Sequence, residues 1–286
     1  MQIVESVREM QKLSDAMRNQ GKRISFVPTM GYLHRGHLSL IDEARRIADR
    51  VVTSIYVNPT QFGPNEDLTK YPRNFDSDQE LCRQAGVDVL FSPTDSEMYP
   101  LHYQTYITVE SVTNNLCGLS RPTHFRGVAT ICAKLFNMVK PHVAVFGKKD
   151  FQQLTVIKRM VTDLNLDLEI IGMPTVRDED GLAMSSRNIY LKDVERESAL
   201  SLSRSLKLAK ILYDTGERDA EIIIFQTRSF IESQPYAKID YIKICDTTEL
   251  KDVKRMDNLN CVMALAVKVG LARLIDNYVF GETLNI

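Results

Sequence analysis

Ile24-Ser25-Phe26-Val27, then Pro28-Thr29-Met30-Gly31-Tyr32-Leu33, then His34-Arg35-Gly36-His37 make up the stretch on which the fold turns. The first four residues are a short apolar run of the kind that becomes a buried strand. The next six contain a proline and a glycine and read as a turn. Beyond them Leu38, Leu40, Ile41, Ala44, Ile47 and Ala48 recur at helical spacing, which predicts a helix over about His37–Asp49. Two histidines three residues apart therefore stand where a strand hands over to a helix. Residues so spaced share a face on a first helical turn. The unpaired N–H groups and the positive end of the helix dipole at that turn favour a bound phosphate.

Outward from this unit the alternation continues. A helix is expected from about Val4 to Arg18. Strands are expected at Ile24–Val27, Val51–Val57, Val89–Phe91, Val143–Phe146 and Leu168–Ile171, with helices near Phe75–Ala85, Val128–Val139 and Phe151–Leu164. Short apolar strands between amphipathic helices imply a Rossmann-like, doubly wound parallel sheet covered on both faces. Ligands in such folds bind beyond the carboxyl ends of the strands, where the His34 turn, the Asn58 loop and the Gly147 turn all fall. From Pro174 the pattern changes. A charged loop, Val176-Arg177-Asp178-Glu179-Asp180-Gly181, precedes helices expected at about Lys192–Asp214 and Ala220–Glu232. Strands follow at Ile239–Cys245, Cys261–Val269 and Ile275–Val279. Residues 1–175 are thus expected to form the α/β domain and 176–286 a smaller α+β domain.

Composition narrows the function. The chain has 286 residues, 44% of them apolar, enough for a substantial core. Its 36 basic and 37 acidic residues leave a formal charge of −1, which argues against a nucleic-acid groove built on bulk charge. Cys82, Cys117, Cys132, Cys245 and Cys261 are scattered without a Cys-x-x-Cys pair, as buried thiols in a reducing compartment would be. Met1-Gln2-Ile3-Val4-Glu5-Ser6 lacks a basic stretch leading into an apolar one, so no signal peptide is expected. The apolar run Cys261–Val267 stops at Lys268, too short to span a bilayer. A cytoplasmic protein without membrane partners is expected.

Four motifs carry the chemistry. A lone buried histidine is usually structural, but His34 and His37 come as a pair beside a glycine-containing turn. No third ligand shares the spacing of a known metal site. In Met184-Ser185-Ser186-Arg187-Asn188, hydroxyls and a guanidinium suit phosphate oxygens; alone, it would pass for a solvated turn. In Phe146-Gly147-Lys148-Lys149-Asp150-Phe151-Gln152-Gln153-Leu154, lysines lie at the ligand edge of the sheet and Asp150 can cap the next helix. Asn58 and Gln61 follow a buried strand, so their amides are expected to line a pocket, where neutral amides suit a substrate with hydroxyls; a turn-forming Asn-Pro pair would explain Asn58 but not Gln61.

Together with Pro28-Thr29-Met30-Gly31, Tyr71-Pro72-Arg73 and Arg121-Pro122-Thr123-His124-Phe125-Arg126-Gly127-Val128, these motifs resemble, in order, the pantoate–β-alanine ligase (pantothenate synthetase) family of the nucleotidyltransferase superfamily. The resemblance runs from Pro28 to Asn188 and thins after Leu191, where only helices followed by strands continue it. It implies that ATP, pantoate and β-alanine are substrates, that pantoate is activated as an adenylate, and that AMP and pyrophosphate are released. By the same resemblance His34, His37, Lys149, Ser185, Ser186 and Arg187 are catalytic. Met30, His37, Gly147, Lys149, Asp150, Val176, Met184, Ser185, Ser186 and Arg187 contact ATP. Met30, Gln61 and Gln153 contact pantoate. Mg²⁺ bridges the phosphates, and Asp78 falls where the family has a metal-associated acid, although the preceding position, often acidic, is Ser77 here. A homodimer is implied as well. Two rivals remain from the residues themselves: a cytidylyltransferase-like enzyme that leaves the nucleotide on its product, and a nucleotide-binding regulator without turnover. Release of AMP separates all three.

Overall fold

The computed structural model describes every residue except Asn65, Asn258, Leu259 and Asn285. Along the chain run β1 (Gln2–Val4), α1 (Val7–Asn19), β2 (Ile24–Thr29), α2 (Arg35–Ile47), β3 (Arg50–Ile55), α3 (Phe75–Gln84), β4 (Val89–Phe91), α4 (Asp95–Met98), α5 (Cys117–Ser120), α6 (His124–Val139), β5 (Val143–Gly147), α7 (Phe151–Asp163) and β6 (Glu169–Met173). Then follow α8 (Asp193–Ala199), α9 (Ser201–Asp214), α10 (Ala220–Glu232), β7 (Ala237–Asp246), β8 (Cys261–Val269) and β9 (Ala272–Val279). Two compact units result. One comprises residues 1–109, 121–148 and 156–174; the other comprises 110–120, 149–155 and 175–286.

The first unit is a six-stranded, wholly parallel sheet in the order β1-β4-β3-β2-β5-β6. Strand residues alternate between two apolar layers. Val27, Val51, Leu90 and Val145 pack with Leu40, Ile41 and Ala44 of α2 and Cys82 of α3. On β2, Phe26 meets Phe136 of α6 edge-on, with ring centroids 6.4 Å apart. Burial on both faces is what a parallel sheet requires. The chain winds outward from β2 through β3 to β4, then returns to lay β5 on the other side of β2. That reversal is a topological switch point.

The second unit is a three-stranded antiparallel sheet, β7-β8-β9, with α8, α9 and α10. Its core joins Leu202 and Leu206 of α9 and Ile223 of α10 to Met263, Leu265, Val267 and Leu274 of the strands.

Two sequence expectations are corrected here. The helix expected from Val4 begins at Val7, because Gln2–Val4 pair as an edge strand with Val89–Phe91. The helix expected over Lys192–Asp214 is two, interrupted at Leu200. Ser201 Oγ donates to the Ser198 carbonyl at 2.6 Å and Ser203 Oγ to the Leu200 carbonyl at 3.2 Å. Such back-bonding competes with the helix ladder and bends it.

Candidate active site

β2 and β5 pair only at Ser25↔Val143 and Phe26↔Ala144, although both strands run three residues further. Pro28 has no N–H with which to extend that pairing. The strands therefore part toward their carboxyl ends, and the loop after β2 and the turn after β5 flank the opening. The β2 loop is held from below. Thr29 Oγ1 donates to the Ser54 carbonyl at 2.7 Å and accepts from Gly31 N at 3.1 Å. Asp78 on α3 is 2% exposed. Its two carboxylate oxygens accept from Tyr32 N at 2.8 Å and Leu33 N at 2.7 Å. Gly31 sits at φ +79°, and a Cβ there would lie 2.9 Å from Asp78 Oδ2 and 3.0 Å from Ile55. Only glycine fits both the backbone and the space. Burial raises the Asp78 pKa above the ordinary carboxylate range, with the two backbone N–H groups pulling the other way.

The loop delivers His34 as the N-cap of α2, with extended backbone at φ −141° and ψ 174°. His34 Nδ1 accepts from Gly36 N at 3.1 Å, and His37 Nδ1 accepts from His34 N at 3.3 Å. This is a reciprocal capping box made of two imidazoles in place of the usual hydroxyl and carboxylate. The rings lie against each other, centroids 4.0 Å apart and planes tilted by 38°. A ring nitrogen that accepts a hydrogen bond carries no proton, so in each neutral imidazole the proton resides on Nε2. The cap thus selects the tautomer and aligns both rings.

After β3, Asn58-Pro59-Thr60-Gln61 forms a short turn whose N-cap is Asn58. Gln61 Nε2 lies 2.9 Å from Met30 Sδ, while its Oε1 accepts from Asn58 Nδ2 at 3.1 Å. Asn58 is 1% exposed. It also donates to the Gly127 carbonyl at 3.1 Å and accepts from the Tyr99 hydroxyl at 2.8 Å. Gln61 is buried too, at 7% exposed, but Asn58 caps the turn and orients Gln61, so the turn-forming account holds for Asn58. The Arg121–Val128 motif clamps the same turn. Arg121 Nη2 donates to the Gln61 carbonyl at 3.1 Å, and the Arg121 guanidinium pairs with Glu66 at 2.7 and 2.5 Å. His124 Nδ1 lies 2.8 Å from the Gln61 carbonyl and must be the donor there. Gly127 permits this approach, since a Cβ would fall 2.4 Å from the Thr60 carbonyl oxygen and 2.7 Å from Gln61 Cα. Both are backbone atoms without freedom to yield. Gly127→Ala is expected to cost about 1–3 kcal/mol of stability by overpacking. It should also displace Gln61 from Asn58 and Met30, which would show as a shifted Gln61 side-chain amide resonance in NMR.

In the second unit, Lys149 Nζ lies 4.0 Å from Asp150 Oδ2, in the turn Lys148–Asp150 that follows β5. Val176 and Met184 face each other across a hairpin. Met184 N donates to the Val176 carbonyl at 3.0 Å, Asp178 N to Leu182 O at 2.8 Å and Gly181 N to Asp178 O at 2.9 Å. Gly181 closes the turn at φ +91°. Arg196 on α8 bonds Asp178 at 2.9 Å and Asp180 at 2.8 Å. The hairpin ends in Ser185, whose Oγ accepts from Arg187 N at 3.3 Å and caps the turn Ser186–Tyr190. Gln153 shares α7 with Gln152, and the two differ. Gln152 is 6% exposed and fastens the 112–117 segment, bonding Cys117 N at 3.0 Å and the carbonyls of Val112 and Asn115 at 2.9 and 2.8 Å. Gln153 is half-buried.

The family model described as pantoate-beta-alanine ligase matches residues 2–279. This chain belongs to that family. It is 65% identical over 286 residues to the pantothenate synthetase of Syntrophus aciditrophicus (strain SB), covering 100% of both chains. The crystal structure of pantothenate synthetase from Thermus thermophilus superposes with a TM-score of 0.92 at 41% identity, over 98% of this chain and 99% of that one. The pantoate-beta-alanine ligase of Francisella tularensis, solved with beta-gamma ATP and beta-alanine, gives 0.81 at 34% identity over 100% of both.

In this pantoate–β-alanine ligase family member, the structure joins His34 to His37 and Met30 to Gln61 in the first unit. In the second it joins Lys149 to Asp150, Val176 to Met184, and Ser185 to Arg187. Asp78 is joined to the β2 loop, through Tyr32 N and Leu33 N. Sequence reasoning overlooked the clamp formed by Arg121, His124 and Gly127. Its signal was present in the quoted motif, but its target, the Gln61 carbonyl, lies about 60 residues upstream.

Proposed function

We propose that this chain ligates pantoate to β-alanine, with ATP going to AMP and pyrophosphate through a pantoyl adenylate. The observation that carries the chemistry is the double-imidazole cap, which holds two Nε2–H donors aligned at a helix N-terminus. A carboxylate cannot acylate an amine directly, because oxide is a poor leaving group. Attack of the pantoate carboxylate on the α-phosphorus expels pyrophosphate. Attack of the β-alanine amine on the acyl carbon then expels AMP. The first step needs neither a protein nucleophile nor a strong base. It needs alignment and charge stabilisation. His34 and His37 donate to phosphate oxygens as charge moves onto the departing pyrophosphate. Lys149, Ser185, Ser186 and Arg187 hold the same phosphates. Gln61 and Gln153 bind pantoate, with Met30 along its apolar side. Asp150, Val176, Met184 and Gly147 hold the nucleoside. Gly147 supports this: a Cβ there would meet nothing within 4 Å, so the protein's own packing does not require glycine. A bare backbone at that point lets a ligand approach closely.

Mg²⁺ enters this reading as part of the ATP complex, bound mainly by phosphates and water. Among the described residues no three His, Cys, Asp or Glu side chains group as a metal-binding set. Asp78 is engaged with Tyr32 and Leu33, so its proposed role is to brace the loop. All five cysteines are buried thiols, which fits a reducing cytoplasm. Among the described residues no helix is long and apolar enough to cross a membrane. A homodimer is proposed on the family resemblance, and sedimentation equilibrium would measure it.

Incubation with ATP, Mg²⁺, labelled pyrophosphate and pantoate is expected to move label into ATP without β-alanine. Adding β-alanine should then yield AMP and pantothenate in equal amounts. Exchange that appears only when β-alanine is present would exclude a free-standing adenylate step. A nucleotide retained on the product would point to the cytidylyltransferase-like alternative.

A further inference from the structure

We infer that Asp276 and Asn277, neighbours on β9, are positioning residues that set the Lys149 turn and the Met184–Arg187 hairpin in one fixed geometry. This rests on the reading that those two segments hold the phosphates of ATP. β9 and the residue that follows it carry one apolar row, Ala272, Leu274, Tyr278 and Phe280, each at most 5% exposed in the core of the second unit. Strand alternation places Asp276 in the middle of that row, where a leucine or valine would continue it. Asp276 is 2% exposed. It accepts both arms of the Arg177 guanidinium, at 2.6 and 3.0 Å, and Arg177 also donates to the Gly181 carbonyl at 3.2 Å. The ion pair therefore grips the hairpin at its base and at its turn. The next residue points the other way. Asn277, 8% exposed, donates through Nδ2 to the Lys149 carbonyl at 2.8 Å.

One stiff strand thus anchors Lys149 through one face and the hairpin that ends in Ser185, Ser186 and Arg187 through the other. Stability alone does not account for this choice. A buried ion pair is often no more stabilising than apolar residues of the same volume, because desolvation offsets the Coulombic gain. What a bidentate pair adds is a fixed angle and distance. Alignment of phosphate-binding groups is what adenylation needs, and ångström-scale misplacement can cost about 10²-fold in rate.

The test combines Arg177→Met with Asp276→Leu in one double variant, and takes Asn277→Ala alone. The double variant restores the apolar row and should melt near the wild-type temperature. Pantoate-dependent ATP–pyrophosphate exchange should nevertheless fall about 10–100-fold, with a raised KM for ATP. Aminolysis of supplied pantoyl adenylate should stay within about threefold of wild type, since pyrophosphate has already left. Asn277→Ala keeps the ion pair and should show the same split between the two half-reactions. A double variant that melts normally and exchanges at the wild-type rate would overturn the inference. If that variant fails to fold, Asn277→Ala decides: an equal loss in both half-reactions, or none, overturns it. Lys149→Ala serves as the separate control. Should it leave exchange intact, the phosphate reading itself fails; should it abolish exchange while the β9 variants do not, only the positioning role fails.

Discussion

His34→Asn and His37→Gln are each expected to lower kcat for pantothenate formation by about 10²–10³-fold, the loss typical of one donor acting mainly in the transition state. The substitutions are chosen because each histidine caps α2 besides its proposed role toward phosphate. Each Nδ1 is an acceptor in the cap of α2, and loss of a cap costs about 1 kcal/mol. Truncation to alanine would mix that loss with the loss of catalysis. Asparagine is a good N-cap residue, and glutamine at the third helical position can complete a capping box. The two variants therefore keep the helix start and remove the Nε2–H. Melting temperature should change little, while single-turnover adenylate formation slows. KM for pantoate should hold, because Gln61 stands on a separate turn. A variant with full activity would remove that histidine from the chemistry, and one that unfolds would assign it to the cap alone.

Asp78→Ala is expected to cost about 2–6 kcal/mol of stability, because it orphans two buried N–H groups at about 1–3 kcal/mol each. The same change releases the loop that delivers His34, so kcat should fall in the molecules that remain folded. Asp78→Asn should not rescue it. An amide can accept through one atom only, and its NH2 would face a backbone N–H. The pH dependence has a definite sign. Burial raises the folded-state pKa of this carboxyl, so the folded chain holds that proton more tightly than the unfolded one. The Asp78 contribution is fully present below the unfolded pKa and is lost as pH rises through the higher folded pKa. The stability of wild type relative to Asp78→Asn should therefore decline over that window, as denaturant titrations at stepped pH would show. A flat or rising difference would mean that the carboxyl is not held in its buried setting.

The strand–turn–helix around His34 and most strands of the parallel sheet could be read directly from the chain, because their apolar residues repeat with the period of the element they form. The motifs from Pro28 to Asn188 could be read as well, since each combines a turn with side chains of one chemistry. The strand Gln2–Val4 escaped because three residues, two of them exposed, show no period. Leu200 escaped because an apolar residue fits either a continuous or a bent helix.

The polar interior is a different matter. Asp78 was legible as an acid on a helix and as a position in a family, but its partners Tyr32 and Leu33 lie 46 and 45 residues away. Asn58 and Gln61 looked alike, and both are buried, yet Asn58 bonds Gln61, the Gly127 carbonyl and the Tyr99 hydroxyl and so serves the fold. Gln152 and Gln153 are adjacent and identical in type, and only the direction of α7 separates a structural amide from one proposed to meet substrate. Asp276 broke an apolar alternation, but nothing nearby in the chain named Arg177, 99 residues upstream, as the reason. Periodicity and turn chemistry are local, so most of the elements and the class of the sheet were legible in the chain alone. Only the tertiary structure decided strand order, the parting of β2 from β5, and which buried polar groups hold the others, because a buried donor or acceptor must find its partner wherever the folded chain brings one.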